Sequence, residues 1–174
     1  PPRALAGGPL SPLTERGATA RAVLATLPRL APELAAKGFA LAGPDALEAE
    51  LAALHRLQAR HLFASDQGYP EPLANSADPP PVLTLLGRPE LLHRPAVAIV
   101  GARNASGNGR YLASMLAREL SERGVTIVSG LARGIDTAAH QGGLEGKGST
   151  IAVLGSGIDV FYPPENATLQ ARIA

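Results

Sequence analysis

Three short apolar runs, each followed directly by a glycine-containing loop, constrain the fold of this 174-residue chain more than any other feature. The runs cover residues 97–100, 125–128 and 150–154. Helical patterns separate them, and this alternation is typical of a parallel sheet. Because the carboxyl ends of parallel strands meet at one edge, the three loops are predicted to lie together. Bare backbone N–H groups in such loops favour a negatively charged ligand.

The pattern predicts an α/β fold in which residues 96–174 form the first half of a Rossmann-like domain. The sheet is expected to be an incomplete extended Rossmann-like parallel sheet with helices on both faces, since three strands make only half of a typical doubly wound sheet. We expect the missing half to have been removed or to be disordered, and the alternative is that another chain completes the edge of the sheet. Residues 63–95 are rich in proline and are predicted to be an extended connection that leads into the first strand of the α/β domain, at residues 82–86.

The first part of the chain, residues 1–62, is predicted to be a small all-α domain. Residues 45–61 give its clearest helix, because leucines recur there at helical spacing. Short helices joined by small residues are compatible with a SAM-like or helix-hairpin-helix-like domain. Residues 1–12 are rich in proline and glycine and are expected to be flexible.

Composition excludes several kinds of site. The chain has no cysteine, which rules out disulfides, thiolate nucleophiles and Cys-ligated zinc and suits the cytoplasm. No apolar run approaches the roughly 18 residues of a membrane span, so no membrane association is expected. The net charge is only +1, but residues 94–133 contain six arginines and two glutamates. Arginine suits bidentate contacts with phosphate, although a GC-rich genome produces the same bias.

The familiar nucleotide-binding motifs are missing. The loop after the first strand lacks G-x-G-x-x-G, and Ser129 stands near the end of the second strand, where an acidic residue would bind a ribose. NAD is therefore disfavoured, and no cofactor is expected. Neither a Ser-His-Asp arrangement nor a metal cluster can be argued from spacing. The sequence predicts no catalytic residue and no metal ligand.

Arginines and glycines of the three loops are the candidate phosphate-binding residues. Arg103 follows a strand end by a few residues in a glycine-flanked loop, where ligands of open α/β sheets bind. Arg133 either acts in the same way or is merely solvated. The complete predicted set is Gly101, Arg103, Ser106, Ser129, Gly130, Arg133, Gly134, Gly155, Ser156 and Gly157.

Three further polar residues near these loops are given structural roles. Asp136 is predicted to be the N-cap of the helix that follows the second loop. His140, one turn later, is interpreted as a histidine at the edge of the core. Asp159 follows the third loop and could orient Arg103 or a backbone amide.

Together, the motifs resemble those of the DNA-processing protein A (DprA/Smf) family over residues 61–174. The matching segments keep their order and spacing along the chain. They comprise residues 69–73, 78–83, 99–103, 128–140, 150–159 and 162–166.

This resemblance implies a cytoplasmic bacterial protein that binds single-stranded DNA and loads a RecA-type recombinase onto it during natural transformation. Binding to duplex DNA is left open. The resemblance also implies a non-enzymatic mediator, which is usually dimeric in its full-length form. Arg103 matches the family's DNA-contacting arginine, and the loops at residues 130–134 and 155–157 match the lining of the same pocket. Residues 1–62 match the family's SAM-like domain only in position and general character.

Two other functions remain open from the residues alone. A nucleotide or sugar-phosphate hydrolase on a related sheet would need a catalytic carboxylate, for which Asp136 and Asp159 are the candidates. A protein-binding scaffold with a vestigial pocket would not need Arg103 for DNA binding.

Overall fold

The computed structural model describes residues 42–174. The predictions for residues 1–41, including the flexible segment 1–12 and most of the all-α domain, lie outside the described residues. The chain divides into two compact units. Leu54–Ala174 form one unit, and residues 42–53 belong to the other. Within residues 42–174, no helix has the length and apolar character needed to cross a membrane.

The first described helix ends earlier than predicted. Helix α1 spans Pro44–Leu57, and Gln58 follows with a φ of 55° in the left-handed region. Strand β1 then spans Arg60–Phe63, so residues 60–62 are not part of an all-α domain as predicted. They pair antiparallel with β2, Val82–Leu85. Pairing between distant segments decides the structure here, and the four-residue strand has no marked local signal.

The proline-rich connection is folded. It contains the short helix α2, Glu71–Ala74, and a 3₁₀ helix at Pro89–His93. Tyr69 is buried, and its hydroxyl donates a 2.6 Å hydrogen bond to the Pro80 carbonyl, which joins the two ends of the proline-rich part. The strand predicted at residues 82–86 is present as β2, but it belongs to a separate two-stranded sheet with β1.

The parallel sheet is confirmed. Strands β3 (Ala96–Ala98), β4 (Thr126–Ser129) and β5 (Thr150–Ala152) lie in the order β3-β4-β5 and pair in parallel. Helix α3 (Gly107–Glu122) connects the first pair and α4 (Ile135–Gly143) the second. The carboxyl ends of the three strands therefore face one edge, as the alternating pattern predicts.

Helices α3 and α4 pack against each other over β4. Ala117, Ile127 and Ala139 are fully buried and form the centre of this core. Small residues allow the close approach, since a Cβ on Gly142 would overlap the Ser114 carbonyl of α3. A last helix, α5 (Ala167–Ile173), packs against β5.

Side-chain hydroxyl groups hydrogen-bond the segment between α4 and β5 to this core. The Ser121 hydroxyl donates to the Gly143 carbonyl at 2.7 Å and accepts from the Ser149 N–H at 2.9 Å. The Thr126 hydroxyl donates to the Gly148 carbonyl at 2.9 Å. These bonds satisfy buried polar groups at the end of the sheet opposite to the carboxyl edge.

The contact between α3 and α4 gives a test of the packing. Gly142→Ala is expected to lower the free energy of unfolding by about 2–3 kcal/mol, because the new methyl group must displace backbone. Gly107→Ala is the matched control, since a Cβ at Gly107 has nothing within 4 Å and alanine favours a helix. Urea denaturation of both variants measures the difference. Equal stability of the two would contradict the proposed close contact.

Candidate nucleic-acid interface

The loops after β3 and β4 contact each other at the carboxyl edge of the sheet. The Ile135 N–H, at the start of α4, donates to the Ala102 carbonyl at 3.2 Å. Gly134 has a φ of 81°, and a Cβ there would overlap the carbonyl oxygens of Ala102 and Arg103. Only glycine combines this backbone conformation with this contact. Gly134 thus supports the loop that carries Arg103.

The loop after β4 takes its hydrogen bonds from buried side chains of α4. The Asp136 carboxylate accepts from the N–H groups of Gly130 and Ala132, at 3.1 and 3.4 Å. The N–H of Leu131, between them, donates to His140 Nε2 at 3.2 Å. The expectation that these amides are bare and hold an external anion is therefore wrong, because an internal carboxylate occupies that position.

Asp136 also differs from its predicted role as an N-cap. Gly134 is the N-cap residue of α4, and the Asp136 side chain turns back towards the preceding loop. Its carboxylate is buried with the residue only 6% exposed. Hydrogen bonds to two amides satisfy this buried charge, which would otherwise be costly.

His140 is fully buried, deeper than the core-edge position predicted for it. Because Nε2 accepts from an amide, the neutral ring carries its proton on Nδ1 and donates to the Thr150 hydroxyl at 2.7 Å. The Thr150 hydroxyl donates in turn to the Ile127 carbonyl at 2.8 Å. Burial lowers the pKa of His140 from 6.5 to about 4, although the nearby Asp136 carboxylate opposes this shift.

Two serines among the predicted phosphate-binding residues serve the fold. Ser129 is buried, and its hydroxyl donates to the Ile99 carbonyl at 2.7 Å, which ties β4 to the end of β3. Ser106 is the N-cap of α3, and its hydroxyl accepts from the Gly109 N–H at 3.1 Å. Neither hydroxyl was assigned to these contacts from sequence.

The two candidate arginines differ in their surroundings. Arg103 is exposed, and within residues 42–174 its side chain forms no ion pair or hydrogen bond. Arg133 is also exposed, but its Nε lies 3.4 Å from a carboxylate oxygen of Glu165. Arg103 is therefore directly available to an anion, whereas Arg133 already has a partner.

Comparison with known proteins places the chain in a family. A family model described as DNA recombination-mediator protein A matches residues 60–174. The chain belongs to the DNA recombination-mediator protein A family. It is 45% identical over 119 residues to Protein Smf of Synechocystis sp., a match that covers 65% of this chain and 29% of that protein.

Two solved structures of the family share the fold. The structure of DNA processing protein A from Streptococcus pneumoniae superposes with a TM-score of 0.63 at 41% identity, over 70% of this chain and 44% of that one. The protein from Helicobacter pylori, described for its single-stranded DNA binding mode, has a TM-score of 0.57 at 31% identity, over 67% and 52%. The chain spans about half the length of these structures.

The third loop, residues 155–157, is exposed and is followed by two exposed aromatic residues. Gly155, Ser156 and Gly157 are exposed, and a Cβ on Gly155 would have nothing within 4 Å. Phe161 and Tyr162 follow and are 51% and 61% exposed.

Asn166, the last residue of the family-like segment 162–166, links the start of α5 to the second loop. Its side-chain NH₂ donates to the Leu131 carbonyl at 2.9 Å and to the Thr137 hydroxyl at 2.8 Å. The residue is buried. An asparagine just before a helix is a weak signal, because the same residue type is common at caps and turns. Asp159, by contrast, is exposed beyond the third loop. Within residues 42–174, no group of three or more His, Asp or Glu side chains is placed to hold a metal ion.

The buried histidine predicts a pH dependence of stability. The pKa in the folded state lies below that in the unfolded chain, so the contribution of neutral His140 is complete above about pH 6.5 and is lost as the pH falls towards 4. Between about pH 7.5 and pH 5 this loss amounts to roughly 2 kcal/mol of the unfolding free energy. His140→Gln is expected to lack this part of the dependence in urea denaturation. Identical pH slopes for the two proteins would refute the assignment.

Proposed function

We propose that this chain binds the phosphate backbone of single-stranded DNA at the carboxyl edge of its parallel sheet. The observation that carries the proposal is the exposed Arg103, which has no ion-pair partner among residues 42–174 and lies on a loop that rests against Gly134. An arginine whose backbone is held in this way, with its guanidinium exposed, is suited to bind a phosphate group. Membership of the family and the single-stranded DNA binding described for the Helicobacter pylori relative support the choice of ligand.

The contact between the two loops prepares Arg103 for binding. The Ala102 carbonyl accepts from the first N–H of α4, and Gly134 permits the close approach of the Arg103 backbone. Because the loop is ordered before DNA arrives, binding does not have to pay the conformational entropy of ordering it. Exposed arginine side chains then supply the attraction to phosphate, since the amides of the second loop are already used.

The same structure supports a role without catalytic turnover. Asp136, one of the two carboxylates that an enzyme would need, is buried and hydrogen-bonded to two amides. His140 is buried with both ring nitrogens engaged and with a pKa lowered to about 4. Asp159, the other candidate carboxylate, is exposed to solvent. These placements favour binding over hydrolysis of a nucleotide or sugar phosphate.

The role of the whole protein is part of the proposal. We infer that it is a cytoplasmic recombination mediator, dimeric in its full-length form, that delivers single-stranded DNA to a RecA-type recombinase during natural transformation. The description of the matching family supports this inference.

Removal of the Arg103 charge tests the proposal. Arg103→Ala is expected to weaken binding of fluorescent oligo-dT by about tenfold, the worth of a charge-assisted hydrogen bond. The slope of log affinity against log salt should also fall by roughly 0.7 for each phosphate that the variant no longer neutralises. Fluorescence anisotropy between about 50 and 200 mM salt measures both quantities.

Arg123→Ala is the matched control. It removes the same charge from the far end of α3, where Arg123 pairs with Glu119 at 3.8 Å. The control is expected to bind within about twofold of the wild type, because exposed charges away from the site act only through a screened field. Equally weakened binding in the two variants would mean that net charge, and not Arg103, attracts DNA. Absence of binding by the wild type would exclude the function.

A further inference from the structure

A groove lies between α3 and α4 and is also lined by residues of the loop after β4. It has a volume of about 420 Å³, and its lining includes Arg110, Tyr111, Arg133, Gly134 and Glu165. This volume falls within the range of sites that accept a small molecule or one unit of a polymer. Gly134 belongs to both the groove and the carboxyl edge, because it also contacts the backbone of Arg103.

We propose that this groove binds the next nucleotide of the strand whose phosphate Arg103 holds, with its base against Tyr111 and its phosphate against Arg133. The inference rests on the proposed function and extends the binding site beyond the carboxyl edge. It assigns to two side chains of the groove the separate tasks of base stacking and phosphate binding.

Tyr111 has the exposure that a stacking residue needs. It lies in the second turn of α3, and 71% of the residue is accessible, the largest value among the exposed large apolar residues in the described part of the chain. An aromatic ring that is so open contributes little to the core. Stacking of one base on such a ring is worth about 1–3 kcal/mol and requires no particular base.

Arg133 and Arg110 give the groove its positive charge. Arg110 donates to the Ala105 carbonyl at 3.1 Å, which holds its guanidinium beside the first loop. Arg133 pairs with Glu165, and both side chains are more than half exposed, at 61% and 54%. An exposed pair of this kind is weak, about 0–1 kcal/mol, so a phosphate can replace the carboxylate.

Glu165 therefore competes with DNA for Arg133. While it is paired, the carboxylate neutralises the cation and places a negative charge at the groove wall. A phosphodiester that enters the groove must displace this carboxylate, and the displacement reduces the net affinity. Removal of the Glu165 charge should consequently strengthen binding, which is the reverse of what the removal of a purely structural ion pair would produce.

Substitutions at two residues test the groove in the 174-residue chain. Tyr111→Ala is expected to weaken binding of an oligo-dT of about 12 nucleotides by at least about fivefold, while Tyr111→Phe keeps the wild-type affinity. Glu165→Gln is expected to tighten binding about two- to fivefold, the equivalent of an exposed ion pair. Circular dichroism of each variant confirms its fold before anisotropy is measured.

Controls separate stacking and site-specific charge from general effects. An abasic strand of the same length should bind equally to the wild type and to Tyr111→Ala, because it has no base to stack. Glu145→Gln removes the same charge from another exposed pair, with Arg118 at 3.8 Å, and should tighten binding by less than Glu165→Gln.

The outcomes distinguish this inference from the function on which it rests. If Arg103→Ala weakens binding while the Tyr111 and Glu165 variants bind like the wild type, DNA uses the carboxyl edge and not the groove. If Tyr111→Ala weakens the binding of the abasic strand equally, the ring does not stack with a base. If Arg103→Ala also has no effect, the proposed function itself fails.

Discussion

The hydrogen bonds between α4 side chains and the loop after β4 determine the geometry of the whole carboxyl edge. Asp136 and His140 satisfy three consecutive amides, from Gly130 to Ala132. Leu131 takes a φ of 57° in the middle, which is unfavourable for a branched side chain unless its surroundings hold it there. With this loop fixed, Gly134 contacts the Arg103 loop and also lines the groove between α3 and α4.

An internal carboxylate in this loop changes how the protein can bind an anion. In nucleotide-binding sheets, loop amides and a helix N-terminus hold the phosphate directly. Here Asp136 and His140 accept from three amides of the loop after β4, so an external phosphate cannot use these donors, and the arginine side chains at the rim supply the positive charge. Exposed arginines form weaker, salt-sensitive contacts that add up along a polymer. This arrangement suits a nucleic-acid backbone, which carries a phosphate at every nucleotide, better than it suits a single small nucleotide.

The sequence allowed the elements of the parallel sheet to be predicted, because runs of apolar residues, the glycine-containing loops after them and alternating helices are local signals. It did not reveal β1, whose four residues become a strand only through pairing with β2. It also indicated which loops meet at the carboxyl edge, but it did not reveal the hydrogen bonding within the second of them. A glycine-rich loop indicates that the backbone turns, but only the tertiary structure shows which buried side chain, here Asp136, takes its amides. The hydrogen bonds of Ser129 and Asn166 arise in the same way from distant segments.

Arg103 and Arg133 illustrate how tertiary contacts distinguish two arginines in similar sequence settings. Both follow a strand in a glycine-containing loop, yet Glu165, from the 3₁₀ helix Pro164–Asn166, pairs with Arg133. Asn166 anchors the end of that segment to the second loop, so the position of Glu165 depends on the same buried network that orients Gly134. Within the described part of the chain, one arginine is left free and the other is paired with a carboxylate that a phosphate can replace. In the proposed binding mode, the exposed ring of Tyr111, which lines the same groove as Arg133, favours single strands, whose bases are open to stacking, over a duplex, whose bases are already stacked.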